Sequence, residues 1–230
     1  MQNIIVATIK EWNISNYFTL KKKYQDFNFF LVTSKDELTV DYIEKISPKY
    51  IFFPHWSWII PKQIHDNFEC IVFHMTDLPY GRGGSPLQNL IINEVYDTKI
   101  SALKVNEGLD TGDIYLKEDF NIELGSAEEI FLKLSEIIFT KMIPTILHSE
   151  KTPQPQTGEV ISFKRRTPED SNLKSIDIKT ISKLYDFVRM LDVEGYPKAY
   201  IDLGDIKIEF SECHLKNKKL IGRFEVLENE

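Results

Sequence analysis

The stretch ECIVFHMTDLPYGRGGSPLQ (residues 69–88) joins an apolar run to a histidine, an acid, a proline and three glycines. Residues 69–73 have the composition of a strand that is buried on both faces of a sheet. His74 follows this run directly. Because ligands bind beyond the carboxyl ends of strands in open α/β sheets, a functional histidine is expected here. An isolated histidine more often caps a strand or bonds to a turn, so His74 needs further support.

Three more apolar runs lie upstream, and polar segments with helical spacing separate them. The apolar runs cover residues 3–8, 28–33 and 50–54, and the helical segments include residues 11–23 and 38–46. This alternation predicts βαβα order with a parallel sheet. Residues 99–105 and 113–122 alternate between apolar and polar side chains and predict an antiparallel pair of strands. The predicted class is α/β, with a Rossmann-like, mostly parallel sheet and helices on both faces.

The second half of the chain begins with a predicted helix and a connector. Ser126 and Glu129 form a capping box that predicts a helix of about twenty residues, kinked near Pro144. Residues 148–159 are rich in Pro, Thr, Gln and Gly, which indicates a connector. A helical pattern over 178–192 and short strands near 198–210 and 219–227 predict a small α+β extension. The predicted domains are therefore residues 1–150 and 151–230.

Charge and cysteine content limit the possible partners. The chain of 230 residues has 28 Lys and Arg against 35 Asp and Glu, a formal net charge of −7. A partner held through its phosphates needs clustered cations, so no nucleic acid is expected. Cys70 and Cys213 have no metal-site spacing, and no disulfide framework or metal centre is predicted. The apolar runs are too short for a signal or a membrane span, which predicts a cytoplasmic protein that does not bind membranes.

Several short motifs carry little information alone. Asp110 and Asp113 flank a Thr-Gly turn, which is ordinary turn chemistry, and no second such motif supports an aspartic protease. The GRGG segment lacks the Gly-Lys-Ser/Thr of a phosphate loop, and the first strand is not followed by the glycine pattern of dinucleotide-binding domains.

Two of these stretches together match one longer pattern. The matching positions are His74, Thr76, Leu78, Pro79, Arg82, Gly83, Pro86 and Gln88, followed by Asp110 in GLDTGD. Their order and spacing resemble the formyltransferases that use N10-formyltetrahydrofolate, which include enzymes acting on methionyl-tRNA, on glycinamide ribonucleotide and on amino sugars. Two later segments, FKRRTPEDSNL (163–173) and VRMLDVEGYPKAY (188–200), are also similar to that family.

The resemblance implies roles for particular residues. His74 and Asp110 are the implied acid/base pair, and N10-formyltetrahydrofolate is the implied formyl donor. The implied folate contacts are Trp58, Ile59, Ile60, Leu109, Thr111, Gly112 and Asp113. The implied acceptor contacts are Thr76, Arg82, Gly83, Gly84, Gln88, Asn89 and Tyr196. Residues 1–150 would form the folate-binding catalytic domain, while Trp56, Trp58 and His55 are as consistent with packing as with ligand contact.

One position departs from the family pattern. The asparagine that the family places two residues before the histidine is Val72 here. A hydrogen-bond donor to the oxyanion of a tetrahedral intermediate is worth about 2.7–4 kcal/mol of barrier. Asn89, Gln88, the Thr76 hydroxyl and protonated His74 are the possible replacements, and the sequence does not choose among them.

The sequence leaves three functions open. The first is an N-formyltransferase for a nucleotide-linked amino sugar, such as a UDP- or dTDP-4-amino-4,6-dideoxyhexose, in glycan or lipopolysaccharide synthesis and acting as a homodimer. A resemblance to sugar enzymes of the pseudaminic acid pathway type favours this reading. The second is a methionyl-tRNA formyltransferase, and the third is a folate or nucleotide-sugar binding module without activity, which Val72 makes conceivable.

Overall fold

The computed structural model describes residues 1–149 and 152–229. The first seven strands are β1 (Gln2–Ala7), β2 (Phe27–Val32), β3 (Tyr50–Phe53), β4 (Cys70–His74), β5 (Tyr80–Gly83), β6 (Asp97–Lys104) and β7 (Ile114–Asn121). Six of them form a sheet in the order β2-β1-β3-β4-β6-β7. β1 is parallel to β2 and β3, and β3 is parallel to β4, whereas β6 is antiparallel to β4. The predicted mostly parallel α/β sheet is confirmed.

Side chains cap the first turn of some of the helices. They are α1 (Glu11–Lys23), α2 (Val40–Ile46), α3 (Lys62–His65), α4 (Pro86–Ile92), α5 (Ala127–Ile137), α6 (Ile143–His148) and α7 (Ile181–Arg189). At α2 the Thr39 hydroxyl accepts a hydrogen bond from the Tyr42 backbone N–H. The capping box before α5 is present, with the Ser126 N–H 2.8 Å from Glu129 Oε2 and the Glu129 N–H 3.2 Å from Ser126 Oγ. These caps satisfy N–H groups that a helix leaves unpaired.

A wide turn separates α5 from α6. Residues Ile138–Met142 form a π-helical segment directly before α6. Pro144 has no N–H and therefore cannot complete the regular ladder with the preceding turn. The kink expected near Pro144 stays a prediction, and this wider turn is the place where a bend would occur.

The strands are apolar because the sheet is buried. Ile4, Ile5, Ile51, Phe52 and Ile71 are fully buried. Each such side chain contributes about 1.5–3 kcal/mol relative to an exposed position. Burial of these side chains stabilises the sheet. Strands that are buried on both faces do not need the alternation of apolar and polar side chains that a half-exposed strand shows.

The contacts of the chain define two compact units that interleave along the sequence. Unit 1 comprises residues 1–82, 99–120 and 132–162, and unit 2 comprises residues 83–98, 121–131 and 163–230. The single division at residue 150 stays a prediction. The described residues contain no helix long and apolar enough to cross a membrane.

Unit 2 contains a small sheet and a buried arginine. Its strands β9 (Ala199–Asp202), β10 (Ile206–Lys216) and β11 (Lys219–Glu228) are antiparallel. A separate two-stranded sheet, whose residues belong mostly to unit 1, pairs β5 with β8 (Ile161–Phe163). Arg189 is 1% exposed and lies 2.6 Å from Asp186. It also donates to the Ile122 and Gly125 carbonyls, so it fixes the turn before α5.

Candidate active site

His74 is the last residue of β4, at the carboxyl edge of the parallel strands. Its side chain is 10% exposed, and its Nε2 lies 2.8 Å from the Gly81 carbonyl oxygen. Its Nδ1 lies 3.6 Å from Asp110 Oδ2, in a carboxylate whose side chain is 14% exposed. Both neighbours are acceptors, and only the protonated imidazolium offers an N–H to each of them. The site can therefore hold a proton on this ring.

The Asp110 loop reaches His74 through an unusual backbone conformation. Asp110 has φ +53°, in the left-handed region that Asp and Asn tolerate better than most residues. Asn106 braces the loop, because its Oδ1 accepts from the Gly108 N–H at 3.1 Å and the Thr111 hydroxyl at 2.7 Å. A Cβ at Gly112 would lie 1.7 Å from the Lys104 carbonyl oxygen, so this position requires glycine. The turn chemistry of GLDTGD thus presents the carboxylate to the histidine.

The segment after His74 turns back beside it. Thr76 is fully buried, and its hydroxyl lies 3.4 Å from the Gly81 carbonyl oxygen that His74 also contacts. The Ser101 hydroxyl donates to the Thr76 carbonyl at 2.7 Å. Lys117 pairs with Asp77 at 2.5 Å. These contacts hold the His74–Gly81 turn from several sides.

The structure bears on what could replace the family asparagine. Val72 is partly buried and packs against the apolar cluster that contains Ile51 and Phe53. Of the possible replacements, Gln88 is 2% exposed and its Nε2 donates to the Met190 carbonyl at 2.9 Å. We therefore assign the Gln88 amide to packing. The remaining donors, apart from His74, also contact carbonyls: the Thr76 hydroxyl contacts Gly81, and Asn89 Nδ2 lies 3.0 Å from each of the Gly84, Ser85 and Lys164 oxygens.

Two loops of unit 1 supply the residues that the sequence assigns to folate. Lys62, just after the WSWIIP segment (56–61), forms an ion pair with Glu107 of the Asp110 loop, which brings the two loops together. Large apolar side chains stand exposed on both: Trp58 is 39%, Ile59 is 91% and Leu109 is 70% exposed. Ile60 is buried instead, and the Thr111 hydroxyl is bonded within its loop. Asp113 is exposed, and its carbonyl accepts from the Lys104 N–H at 2.9 Å.

The sequence-predicted acceptor residues divide between the two units. Arg82 belongs to unit 1, where its guanidinium binds Gln156 Oε1. Gly83 and Gly84 belong to unit 2, where a Cβ would lie 2.4 Å from the Phe163 oxygen and 2.5 Å from Arg165 Cβ, respectively. Both glycines are therefore needed for close packing. In the same unit the Tyr196 hydroxyl donates to Ser85 Oγ at 3.3 Å.

A second histidine, His55, follows β3 at the same edge of the sheet. It adopts φ +55°, and its ring meets the Trp12 ring edge-on at 6.0 Å. Burial and the nearby Lys10 lower the pKa of His55 to about 4. The His55 ring is therefore neutral at physiological pH. The next residue, Trp56, packs against Phe53 and Trp58.

Gln156 is a site residue that the sequence does not reveal. It lies in the connector, and its Nε2 donates to the Asp110 and Gly112 carbonyls at 2.8 Å each. Glutamines in a Pro-rich segment are ordinary linker composition. Nothing in the spacing marks this one as a partner of the loop.

Known proteins are similar to this chain over most of its length. The Formyl transferase family pattern matches residues 13–134, and the methionyl-tRNA formyltransferase C-terminal domain matches residues 168–227. A solved structure named methionyl-tRNA formyltransferase, from Clostridium thermocellum, is 52% identical, with a TM-score of 0.95 over 100% of both chains. A methionyl-tRNA formyltransferase of Campylobacter jejuni is 27% identical over 92% of this chain and 69% of its own length. A sugar N-formyltransferase from a Shewanella species is 16% identical, with a TM-score of 0.70 over 97% of this chain and 96% of its own, and shares the fold alone.

These relatives correct two expectations. The amino-sugar function is wrong, because the relative at 52% identity and the curated relatives are named methionyl-tRNA formyltransferases. The expected nucleotide-sugar partner and the exclusion of a nucleic-acid partner are wrong for the same reason. Net charge misled because it sums over the whole chain: residues 163–230 hold 13 of the 28 Lys and Arg and 13 of the 35 Asp and Glu. This part of the chain is therefore balanced, and all of the excess negative charge lies in residues 1–162.

The family pattern covers the strand that ends in His74 and the loop that carries Asp110. The similarity to the Clostridium protein extends over the whole chain, including the small sheet of unit 2. The chain therefore belongs to the formyl transferase family, as an enzyme that takes its formyl group from N10-formyltetrahydrofolate.

Proposed function

We propose that this enzyme transfers the formyl group of N10-formyltetrahydrofolate to the α-amino group of methionyl-tRNA. The observation that carries the proposal is the 52% identity to a methionyl-tRNA formyltransferase over the full length of both chains. The match of residues 168–227 to the C-terminal domain of methionyl-tRNA formyltransferases supports it independently of the catalytic part.

His74 and Asp110 carry the proton chemistry in this proposal. The amine nitrogen attacks the formyl carbon, and the bond from that carbon to N10 of the folate breaks as the tetrahedral intermediate collapses. The attacking amine must lose a proton, and N10 must gain one. A histidine between a carboxylate and a carbonyl can accept the first and return the second. Asp110 acts by orienting the ring and stabilising its charged form.

The protonated ring also has a role in stabilising the oxyanion. Val72 offers no amide, and the Thr76 hydroxyl is directed to the Gly81 carbonyl. His74 Nε2 lies 2.8 Å from the same carbonyl, so in this proposal the ring exchanges that contact for the substrate. Once His74 has taken the amine proton, its imidazolium is a donor that carries positive charge. Charge-assisted hydrogen bonds are about twice as strong as neutral ones. In this proposal one side chain therefore supplies both the base and part of the oxyanion site.

The folate lies between the WSWIIP segment and the Asp110 loop in this proposal. The Lys62–Glu107 ion pair joins these loops, and both present exposed apolar side chains at Trp58, Ile59 and Leu109. Clustered exposed apolar groups in a soluble protein are a feature of ligand sites. The flat pterin ring of the donor suits such a surface.

The tRNA requires cations that can reach its phosphates. Residues 164–166 are three consecutive cations, and Lys164 and Arg165 are exposed. Each phosphate contact releases counterions, so binding through several of them weakens steeply with salt. A local cluster of this kind serves that purpose even when the whole chain is acidic.

A direct formylation assay tests the proposal. The purified protein is incubated with N10-formyltetrahydrofolate and initiator tRNA charged with methionine, and the amino acid released by mild base is analysed by mass spectrometry. We expect formylmethionine, at a rate that falls as salt is raised. Uncharged tRNA and the His74→Asn variant are the controls. If charged tRNA is not formylated by protein that is folded and binds the donor, the proposed acceptor is wrong.

A further inference from the structure

The Gln156 side chain uses both ends of its amide. Its Oε1 accepts from Arg82 Nε at 3.1 Å and from Arg82 Nη2 at 2.7 Å. Its Nε2 donates to the Asp110 and Gly112 carbonyls at 2.8 Å each. The amide orientation is unambiguous, because a guanidinium only donates and carbonyls only accept. A flipped amide would lose all four contacts.

These contacts form a continuous series of residues around the His74 imidazole. Arg82 follows Gly81 in β5, and the Gly81 carbonyl lies 2.8 Å from His74 Nε2. Gln156 joins Arg82 to the loop whose carboxylate lies 3.6 Å from His74 Nδ1. The two groups that touch the imidazole are thus tied to each other through Gln156. All of these residues belong to unit 1.

We propose that Gln156, held by Arg82, is a positioning residue that fixes the Asp110 loop so that its carboxylate stays beside His74. This inference rests on the roles proposed above for His74 and Asp110. Asp110 has a left-handed backbone, and the bonds that Asn106 makes within the loop go to Gly108 and Thr111. Gln156 holds the carbonyls on both sides of Thr111, including that of Asp110 itself.

The connector is anchored where it carries Gln156. Gln154 exchanges both backbone hydrogen bonds with Ile114 at the start of β7, at 2.7 and 2.9 Å. This pairing places the backbone two residues before Gln156. The Gln154 side chain itself is exposed and donates to the Thr152 carbonyl at 3.1 Å. Gln154 is therefore a matched control: it is the same residue type in the same segment, and among the described residues its side chain has no hydrogen bond to the Asp110 loop.

The test compares Gln156→Leu with Gln154→Leu, each alone and combined with Asp110→Asn. Acting through Asp110, Gln156→Leu should lower kcat by roughly tenfold to a hundredfold in the otherwise unchanged enzyme, since small displacements of catalytic groups have such effects. In the Asp110→Asn background it should lower kcat by less than about threefold, because the carboxylate it positions is already gone. Gln154→Leu should leave kcat unchanged in both backgrounds. Equal losses from Gln156→Leu in the two backgrounds would overturn the proposal.

A second variant separates the contacts of Gln156 with the loop from its contact with Arg82. Gln156→Glu keeps an acceptor for Arg82 and turns an oxygen toward the Asp110 and Gly112 carbonyls. It should therefore lose kcat at least as strongly as Gln156→Leu, while its melting temperature stays close to that of the unchanged protein. Retained kcat in Gln156→Glu would show that the donors to the loop are unimportant.

Hydrogen exchange tests the proposal without any acceptor. The peptide spanning residues 106–114 should exchange faster in Gln156→Leu than in Gln154→Leu, with no ligand present. Faster exchange in a protein that does not formylate methionyl-tRNA would leave the positioning role standing and remove the proposed acceptor. Unchanged exchange would overturn the positioning role whatever the acceptor is.

Discussion

Two neighbouring parallel strands each place a histidine at the same edge of the sheet, yet the two rings have opposite surroundings. The ring of His74, at the end of β4, lies between a carboxylate and a carbonyl. The ring of His55, just after β3, lies against Trp12 and near Lys10. Oxygen acceptors stabilise a protonated imidazole, whereas burial near a cation keeps it neutral. Position at the sheet edge identifies candidate residues, and the neighbours decide which one can carry a proton.

Matched substitutions of the two histidines give the largest expected difference. Asparagine tolerates the left-handed backbone of His55, so His55→Asn and His74→Asn are comparable changes. We expect His74→Asn to lower kcat by roughly 10²–10⁴-fold, which is the usual contribution of general acid–base catalysis. His55→Asn should have a much smaller effect on kcat. Steady-state formylation rates, with melting temperatures as the control, measure both, and similar losses in the two variants would refute the distinction.

A substitution at Gly112 tests whether the setting of His74 depends on the loop. Because a Cβ there would lie 1.7 Å from the Lys104 carbonyl oxygen, Gly112→Ala must displace the backbone of residue 112 or of Lys104, and we expect this shift to reach Asp110, two residues away. We expect a loss of about 1–3 kcal/mol in the free energy of unfolding, as for other overpacked sites, together with a lower kcat. Gly204→Ala is the control, since its φ is +93° but nothing lies within 4 Å of its Cβ. Urea unfolding and kcat together show whether only Gly112→Ala impairs catalysis.

The smallest expected effect is a pH dependence of stability that comes from His55. Its folded-state pKa of about 4 lies below the ordinary value of 6.5, so the unfolded chain binds the proton more tightly. The contribution of neutral His55 to stability is complete above about pH 6.5 and is lost as pH falls toward 4. Between pH 7 and 5 the unchanged protein should lose about 1–2 kcal/mol more than His55→Asn. Urea unfolding at both pH values tests this, and parallel losses would contradict a buried neutral His55.

The sheet and the place of His74 follow from sequence because the causes are local. Apolar runs such as residues 3–8 and 69–73 become buried strands, and the residue after such a strand must lie at the sheet edge. The neighbour of His74 does not follow in this way. Asp110 is distant in the chain, and only the family pattern linked the two before the 3.6 Å contact was seen.

Other features of the site depend on contacts that leave no local trace. Gln156 is one of two glutamines in a segment with the composition of a linker. It differs from Gln154 only in the tertiary contacts of its side-chain amide, which the local sequence does not indicate. The left-handed backbone of His55 is equally invisible, since nothing in its residue type requires it. Net charge misled about the partner because a sum over the chain hides the balanced charge of residues 163–230.

The interleaving of the two units has a consequence for how the molecule unfolds. The chain passes between the units after residues 82, 98, 120, 131 and 162. A fragment that stops at residue 150 lacks Gln156 of unit 1, and its residues 83–98 lack the Met190 and Asp186 partners of Gln88 and Tyr96. Neither unit can be separated from the other by one cut. Unfolding should therefore be a single cooperative transition. A fusion or truncation placed in the connector should prevent folding rather than leave one folded, active part.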